Sequence, residues 1–124
     1  MKRSVLTLVI VGLVIIVSIG IALSISSQDP NKYDNFAKCL TEKGVKMYGT
    51  YWCHFCANQK EEFGNSFLYV NYVECSLPDR AGQNAECNAK GIKGYPTWEF
   101  ADGSRREGVI ALPDLRDVSG CELP

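Results

Sequence analysis

MYGTYWCHFCANQKEEFG, residues 47–64, runs from β-prone aromatics through two cysteines two residues apart into a charged segment. Val45 to Tyr51 suits a strand, and Cys53 to Phe63 suits a helix that Gly64 would end. A cysteine at a helix N-terminus meets unpaired N–H groups and the positive end of the helix dipole, and both favour a thiolate. A second cysteine in the first turn can reach a mixed disulfide formed on the first. The spacing predicts dithiol–disulfide exchange, with Cys53 the attacking thiol and Cys56 the resolving one.

Two other uses of the same spacing compete with this one. A zinc site needs two further ligands, usually as a second close pair. Cys75 and Cys87 are well separated, and the single histidine, His54, lies inside the motif, so no metal site is expected. A static Cys53–Cys56 bridge would close too small a loop to stabilise much.

The segment before the domain decides which redox environment these thiols meet. Val5 to Ile25 contains no charged residue and is dominated by Val, Ile and Leu, with Lys2 and Arg3 just ahead of it. Such a run suits a helix crossing the ~30 Å hydrocarbon layer. The basic flank keeps residues 1–4 cytoplasmic and sends the rest outside. Ala22-Leu23-Ser24 offers a small-residue cleavage site, but the apolar run exceeds a secretory signal core. The expectation is an uncleaved signal anchor over 5–25, a polar linker over 26–33 and one small domain over 34–124.

Net charge is −1, and past Lys2 and Arg3 no basic run occurs, so a nucleic-acid partner is not expected. The six cysteines, Cys39, Cys53, Cys56, Cys75, Cys87 and Cys121, all follow the anchor. On the far side of a membrane an even count suggests disulfides, although spacing leaves the pairing open.

The coarse pattern continues as follows. A helix is expected over 35–43 with Asp34 or Asn35 as its cap, and a strand over 68–74. A loop over 77–82, a short helix over 83–90 and a hairpin turning on Asp102-Gly103 come next. A last helix starts at Pro113 and stops at Gly120. Alternating α and β with a terminal hairpin makes an α/β fold, a mixed sheet flanked by helices with the hairpin at one edge.

GIKGYPTWEFADG, residues 91–103, places Tyr95-Pro96 just before the hairpin. A CxxC heading a helix, followed in this order by such a proline, resembles the thioredoxin superfamily across nearly all of residues 34–120. The resemblance implies a cis proline facing the dithiol, with Tyr95 and Pro96 positioning the substrate backbone. MYGTYWCHFCANQKEEFG, YVECS and GIKGYPTWEFADG together resemble the thioredoxin-like domain associated with bacterial vitamin K epoxide reductase homologues. That likeness implies a membrane-embedded, quinone-linked reductase as redox partner and exported cysteine-containing proteins as substrates, with no metal or organic cofactor. The partner would be a separate polypeptide beside which the anchor holds the domain in the bilayer.

The family more often carries proline after the first cysteine and histidine next to the second, whereas this chain has His54-Phe55, a pair that either tunes the site or faces solvent and does little. Met47 stands where reducing thioredoxins carry a buried aspartate, which leans against a thioredoxin-like reductase. In the relatives, cysteines placed like Cys75 and Cys87 look like a disulfide; a relay to the dithiol is the alternative. Cys39 and Cys121 are then left to pair, which needs their Cα atoms within about 7 Å. Trp52 is expected to shape the surface around Cys53, while Tyr51, Phe55 and Tyr95 form an apolar rim. Trp98 is assigned to the core and Lys60, Glu61 and Glu62 to a solvated face.

Overall fold

A computed structural model describes residues 2–23 and 29–124. Helix α1, Lys2–Leu23, is long and apolar enough to cross a membrane, and none of its apolar window is buried against the rest of the chain. The end of the expected anchor, the cleavage triplet's Ser24 and the first part of the linker lie outside the described residues. The later part of that linker is tied to the domain. The Pro30 carbonyl accepts from the Asn65 N–H at 3.1 Å, and Tyr33 packs against the core.

The domain is built on four short strands in the order β2-β1-β3-β4. These are β1 (Lys46–Gly49), β2 (Tyr72–Glu74), β3 (Thr97–Glu99) and β4 (Arg105–Glu107). β1 runs parallel to β2, with Met47 opposite Tyr72, and antiparallel to β3, with Met47 opposite Trp98. β3 and β4 form the antiparallel hairpin at the edge. Helices α2 (Asp34–Glu42), α3 (His54–Phe63), α4 (Ala85–Ala89) and α5 (Leu112–Ser119) complete the thioredoxin-like mixed sheet flanked by helices.

Alternate side chains of a strand point to opposite faces, and β1 fills both. Met47 joins the larger core with Phe36, Leu40, Phe63, Trp98 and Leu115, whereas Tyr48 joins a smaller one with Cys75, Cys87 and Ile92. Burial on both faces explains why Met47, Tyr48 and Gly49 follow Lys46 without polar alternation. Trp98 is fully buried, and its indole N–H donates to Gln59 Oε1 at 3.1 Å.

Four local expectations are revised. Asp34 is the first residue of α2 and not its cap: its carboxylate accepts from Ser66 Oγ at 2.7 Å, and Ser66 Oγ also takes the Tyr33 N–H. The strand expected over 68–74 begins only at Tyr72, because Gly64–Tyr69 forms a 3₁₀ turn in which Phe67 folds back edge-on to Phe63 and Tyr72. The helix expected from Gln83 starts at Ala85, with the Asn84 side chain accepting from the Cys87 N–H as its cap. Gln83 instead bridges to Ser76 and donates to the Ile92 carbonyl.

The hairpin is also wider than Asp102-Gly103 suggested. Phe100 pairs with Ser104, and Gly103, at φ 81°, returns its N–H to the Phe100 carbonyl. That geometry is a type I turn followed by a left-handed residue, the usual three-residue loop. The last helix ends as expected, with Gly120 in the left-handed conformation at φ 66°.

Candidate redox site

β1 ends at Gly49, and the chain turns through Thr50, Tyr51 and Trp52 before α3 begins. The turn closes with the Cys53 N–H donating to the Thr50 carbonyl at 3.2 Å. Cys53 is then the N-cap of α3: its backbone is extended, and its sulfur accepts from the Cys56 N–H at 3.3 Å. The cap role normally filled by a Ser or Asp oxygen is taken here by sulfur. Cys53 and Cys56 are both free thiols, Cys53 half-buried and Cys56 fully buried. The remaining four cysteines are bonded. Cys39 joins Cys121 with Cα atoms 5.9 Å apart, and Cys75 joins Cys87 at 5.6 Å.

Opposite the dithiol, the Tyr95–Pro96 peptide bond is cis and the Tyr95 carbonyl lies 3.6 Å from Cys53 Sγ, in position to accept the thiol proton. The Pro96 carbonyl is held by the Gly108 N–H at 2.8 Å. The Tyr95 hydroxyl donates to Gln83, and its ring meets Trp52 edge-on at 6.3 Å. Trp52 donates from its indole N–H to Ser76 Oγ at 3.0 Å, and the Arg80 guanidinium lies 5.8 Å from its ring. Tyr51, Trp52 and Phe55 are all largely exposed, an apolar rim that a folded domain would otherwise bury. Phe55, Gly94, Tyr95, Glu107, Gly108 and Val109 line an open groove of about 460 Å³ beside them.

His54 does not reach the sulfurs through any of its contacts. Its ring stacks edge-on to Phe55 at 5.8 Å, and its Nε2 lies 3.4 Å from Asn58 Nδ2 along the helix. The two bonded cysteine pairs take part in packing: Cys121 in the larger core, Cys75 and Cys87 in the smaller.

The surroundings of Cys56 contain residues that the sequence reading did not single out. Burial, followed by the hydrogen bond to Cys53, pushes its thiol up to about 12. The Thr50 backbone and the Lys60 charge pull in the opposite direction. Lys60 is not simply solvated, for its ammonium sits 3.9 Å from the centre of the Tyr72 ring and 5.4 Å from that of Phe67. Tyr72 is held above the usual phenol range by burial and by its hydrogen bond to Glu74, a contact of 2.7 Å to Oε2. Met47 is fully buried and apolar, so β1 brings no carboxylate under the dithiol. The sequence signal was present in YVEC, where Tyr72 and Glu74 alternate on one face of a strand paired to β1.

Gly49 shows how tight this floor is. A methyl carbon built there would lie 2.9 Å from Cys56 Sγ and 2.9 Å from Tyr72 Cε2. Both neighbours are held in packed surroundings and cannot swing away. Gly49→Ala is therefore expected to destabilise the domain by about 1–3 kcal/mol through overpacking. Urea unfolding measures this, and an unchanged midpoint would contradict it.

No protein-family model matches the chain. It is similar to thiol-disulfide oxidoreductase LTO1 of Arabidopsis thaliana, at 39% identity over 92 residues that cover 70% of this chain. The chain spans only 24% of the length of that relative, so the comparison bears on one portion of a larger protein.

Proposed function

We propose that this chain is a membrane-anchored thiol:disulfide oxidoreductase that works as an oxidase on exported proteins. The observation that carries the reading is the contrast among the six cysteines. Four are bonded in pairs, and two remain as thiols at a helix N-terminus, one accessible and one buried behind it. The likeness to a plant thiol-disulfide oxidoreductase supports the same chemistry. Zinc or a purely structural bridge would use Cys53 and Cys56 without needing the Tyr95 carbonyl beside Cys53.

In the oxidising direction Cys53 and Cys56 start as a disulfide. A substrate thiolate attacks Cys53 Sγ, the Cys53–Cys56 bond breaks, and Cys56 leaves with the electron pair. A second substrate thiolate then displaces Cys53, which leaves the substrate oxidised and the enzyme as the dithiol. Tyr95 and Pro96, with Trp52, position the incoming backbone beside the sulfurs, and the rim of Tyr51 and Phe55 accepts apolar segments of unfolded chains. His54 and Phe55 stand in the helix's first turn, and since the His54 ring contacts Phe55 and Asn58, any tuning by it would act through space.

A separate quinone-linked membrane reductase of the vitamin K epoxide reductase type would reoxidise the dithiol. Helix α1, with its N-terminus in the cytoplasm, would hold the domain beside that partner on the far side of the bilayer. The two sulfurs carry the electrons, so the reaction asks for no further cofactor in this chain.

The test is the redox form of Cys53–Cys56 in the native membrane. Acid quenching followed by alkylation with a mass-tagged maleimide is expected to find mostly disulfide. A mostly dithiol form would assign the chain to the reducing branch of the same chemistry.

A further inference from the structure

We propose that Tyr72 and Glu74 form the proton relay for the resolving cysteine, Cys56. This deepens the exchange reading above and rests on it. The geometry begins at Gly49: a methyl carbon placed there would lie 2.9 Å from Cys56 Sγ and 3.3 Å from the Tyr72 hydroxyl. Thiol and phenol therefore border one small space that the missing side chain of Gly49 leaves open. The phenol donates to Glu74 Oε2 at 2.7 Å, and the Ser76 N–H fixes the other carboxylate oxygen at 2.9 Å. Glu74 stands opposite Gly49 in the parallel pairing, so β2 delivers the carboxylate to the same level of the sheet as the thiol.

The need for a relay follows from burial. Cys56 is out of contact with water, and its thiol holds its proton far above neutral pH. The groups that act on it are Cys53 and Lys60 of α3, the Thr50 backbone, Tyr72 of β2 and Tyr95 of the loop before β3; Glu74 is reached through the Tyr72 hydroxyl. Of these, Glu74 is the carboxylate, and Tyr72 stands between it and the sulfur. β1, Lys46 to Gly49, carries no acid.

When a mixed disulfide on Cys53 is resolved, the Cys56 S–H proton passes to Tyr72 Oη as the phenol proton passes to Glu74 Oε2. The Cys56 sulfur attacks Cys53 Sγ and forms the enzyme disulfide. The Cys53–substrate bond breaks, and the substrate sulfur leaves as a thiolate with the electron pair. The dithiol is oxidised, the substrate disulfide is reduced, and Glu74 returns its proton to water. The oxidising direction runs the same steps backwards. The Lys60 ammonium, over the Tyr72 ring, favours the transient negative charge on the sulfur.

The reduced full chain in detergent, mixed with 5,5′-dithiobis(2-nitrobenzoate), separates the two thiols. Cys53 releases one thionitrobenzoate on forming the mixed disulfide, and Cys56 releases the second on resolving it. Tyr72→Phe and Glu74→Gln are each expected to slow the second release about 100-fold at pH 7, the lower range for a lost general base. The first release should keep its rate. The deficit should close as pH rises and hydroxide takes over, and the second phase of the unaltered protein should slow in D₂O.

A pure charge effect predicts the opposite sign, since removing the carboxylate would ease ionisation of Cys56. A second release that is unchanged or faster in Glu74→Gln overturns the relay. Absence of the first release in the unaltered protein overturns the exchange reading instead.

Discussion

Cys56→Ala is expected to leave Cys53 joined to its protein partners as mixed disulfides that accumulate in the native membrane. The expectation follows from how the two sulfurs divide the work. Cys53, half-buried at the start of α3, can be reached by a partner, whereas Cys56 is completely buried and can only attack inward. Without Cys56, release of the adduct waits for an external thiol at millimolar concentration. An aligned intramolecular attack is worth an effective molarity of roughly 10⁵ M, about 10⁸ times a millimolar thiol; the raised pKa of Cys56 takes back part of that advantage, which leaves release slower by at least about 1,000-fold.

The reciprocal variant behaves differently. In Cys53→Ala the remaining thiol stays buried, and burial, the largest cause of its raised pKa, still holds it above the usual thiol range, so little thiolate forms at pH 7. Cys53→Ala should form no adducts, and the double variant should match it. Non-reducing gels of alkylated membranes, read for high-mass bands that disappear with reductant, make the comparison. Equal trapping by both single variants would mean that Cys56 is as accessible as Cys53 and would remove the division of roles.

The strand–helix transition that carries the cysteine pair was legible because its signals are local. Cys53, Cys56 and Gly64 lie within one strand–helix transition, where spacing and the dipole argument need no knowledge of distant contacts. The order of elements was legible as well, since α2 to α5 are each followed by a glycine with positive φ: Gly44, Gly64, Gly91 and Gly120. What escaped were features set by residues remote in sequence. Asp34 resembles a cap, yet Ser66 claims its carboxylate from the other side of the fold. The run from Leu68 has strand propensity, yet Phe67 is drawn onto Phe63 and Tyr72, and the chain turns until Thr41 receives it through the Tyr69 carbonyl and the Asn71 N–H.

The same reason hid the floor of the site. Gly49 looks like any small residue at a strand end, and Tyr72 and Glu74 look like ordinary strand residues. Only the parallel register of β1 and β2 brings Gly49 and Tyr72 together beside Cys56, with Glu74 opposite Gly49. Lys60 was read as solvated from its charged neighbours, but a lysine stem reaches far, and its ammonium settles over an aromatic ring of β2.

Loss of the Cys39–Cys121 bond is expected to be the costlier of the two disulfide deletions. It joins α2 to the residue just beyond α5 across a sequence separation of 82, whereas Cys75–Cys87 spans 12. In the chain-entropy model these loops correspond to about 4.5 and about 3 kcal/mol of stabilisation. A domain this small has little core to spare, so the larger loss would consume much of a typical folding free energy.

Other contacts tie the same two ends: Lys43 Nζ donates to the Ser119 carbonyl at 2.7 Å and to the Gly120 carbonyl at 3.1 Å. These surface hydrogen bonds form only after folding and do not restrict the unfolded chain, which is where a long cross-link acts. Paired alanine variants, Cys39→Ala with Cys121→Ala and Cys75→Ala with Cys87→Ala, avoid a reductant that would also alter Cys53–Cys56. Urea midpoints should fall further for the first pair. If the second pair falls further, native packing of Cys75 and Cys87 around Tyr48 and Ile92 outweighs loop closure, and the smaller core is the one the fold depends on.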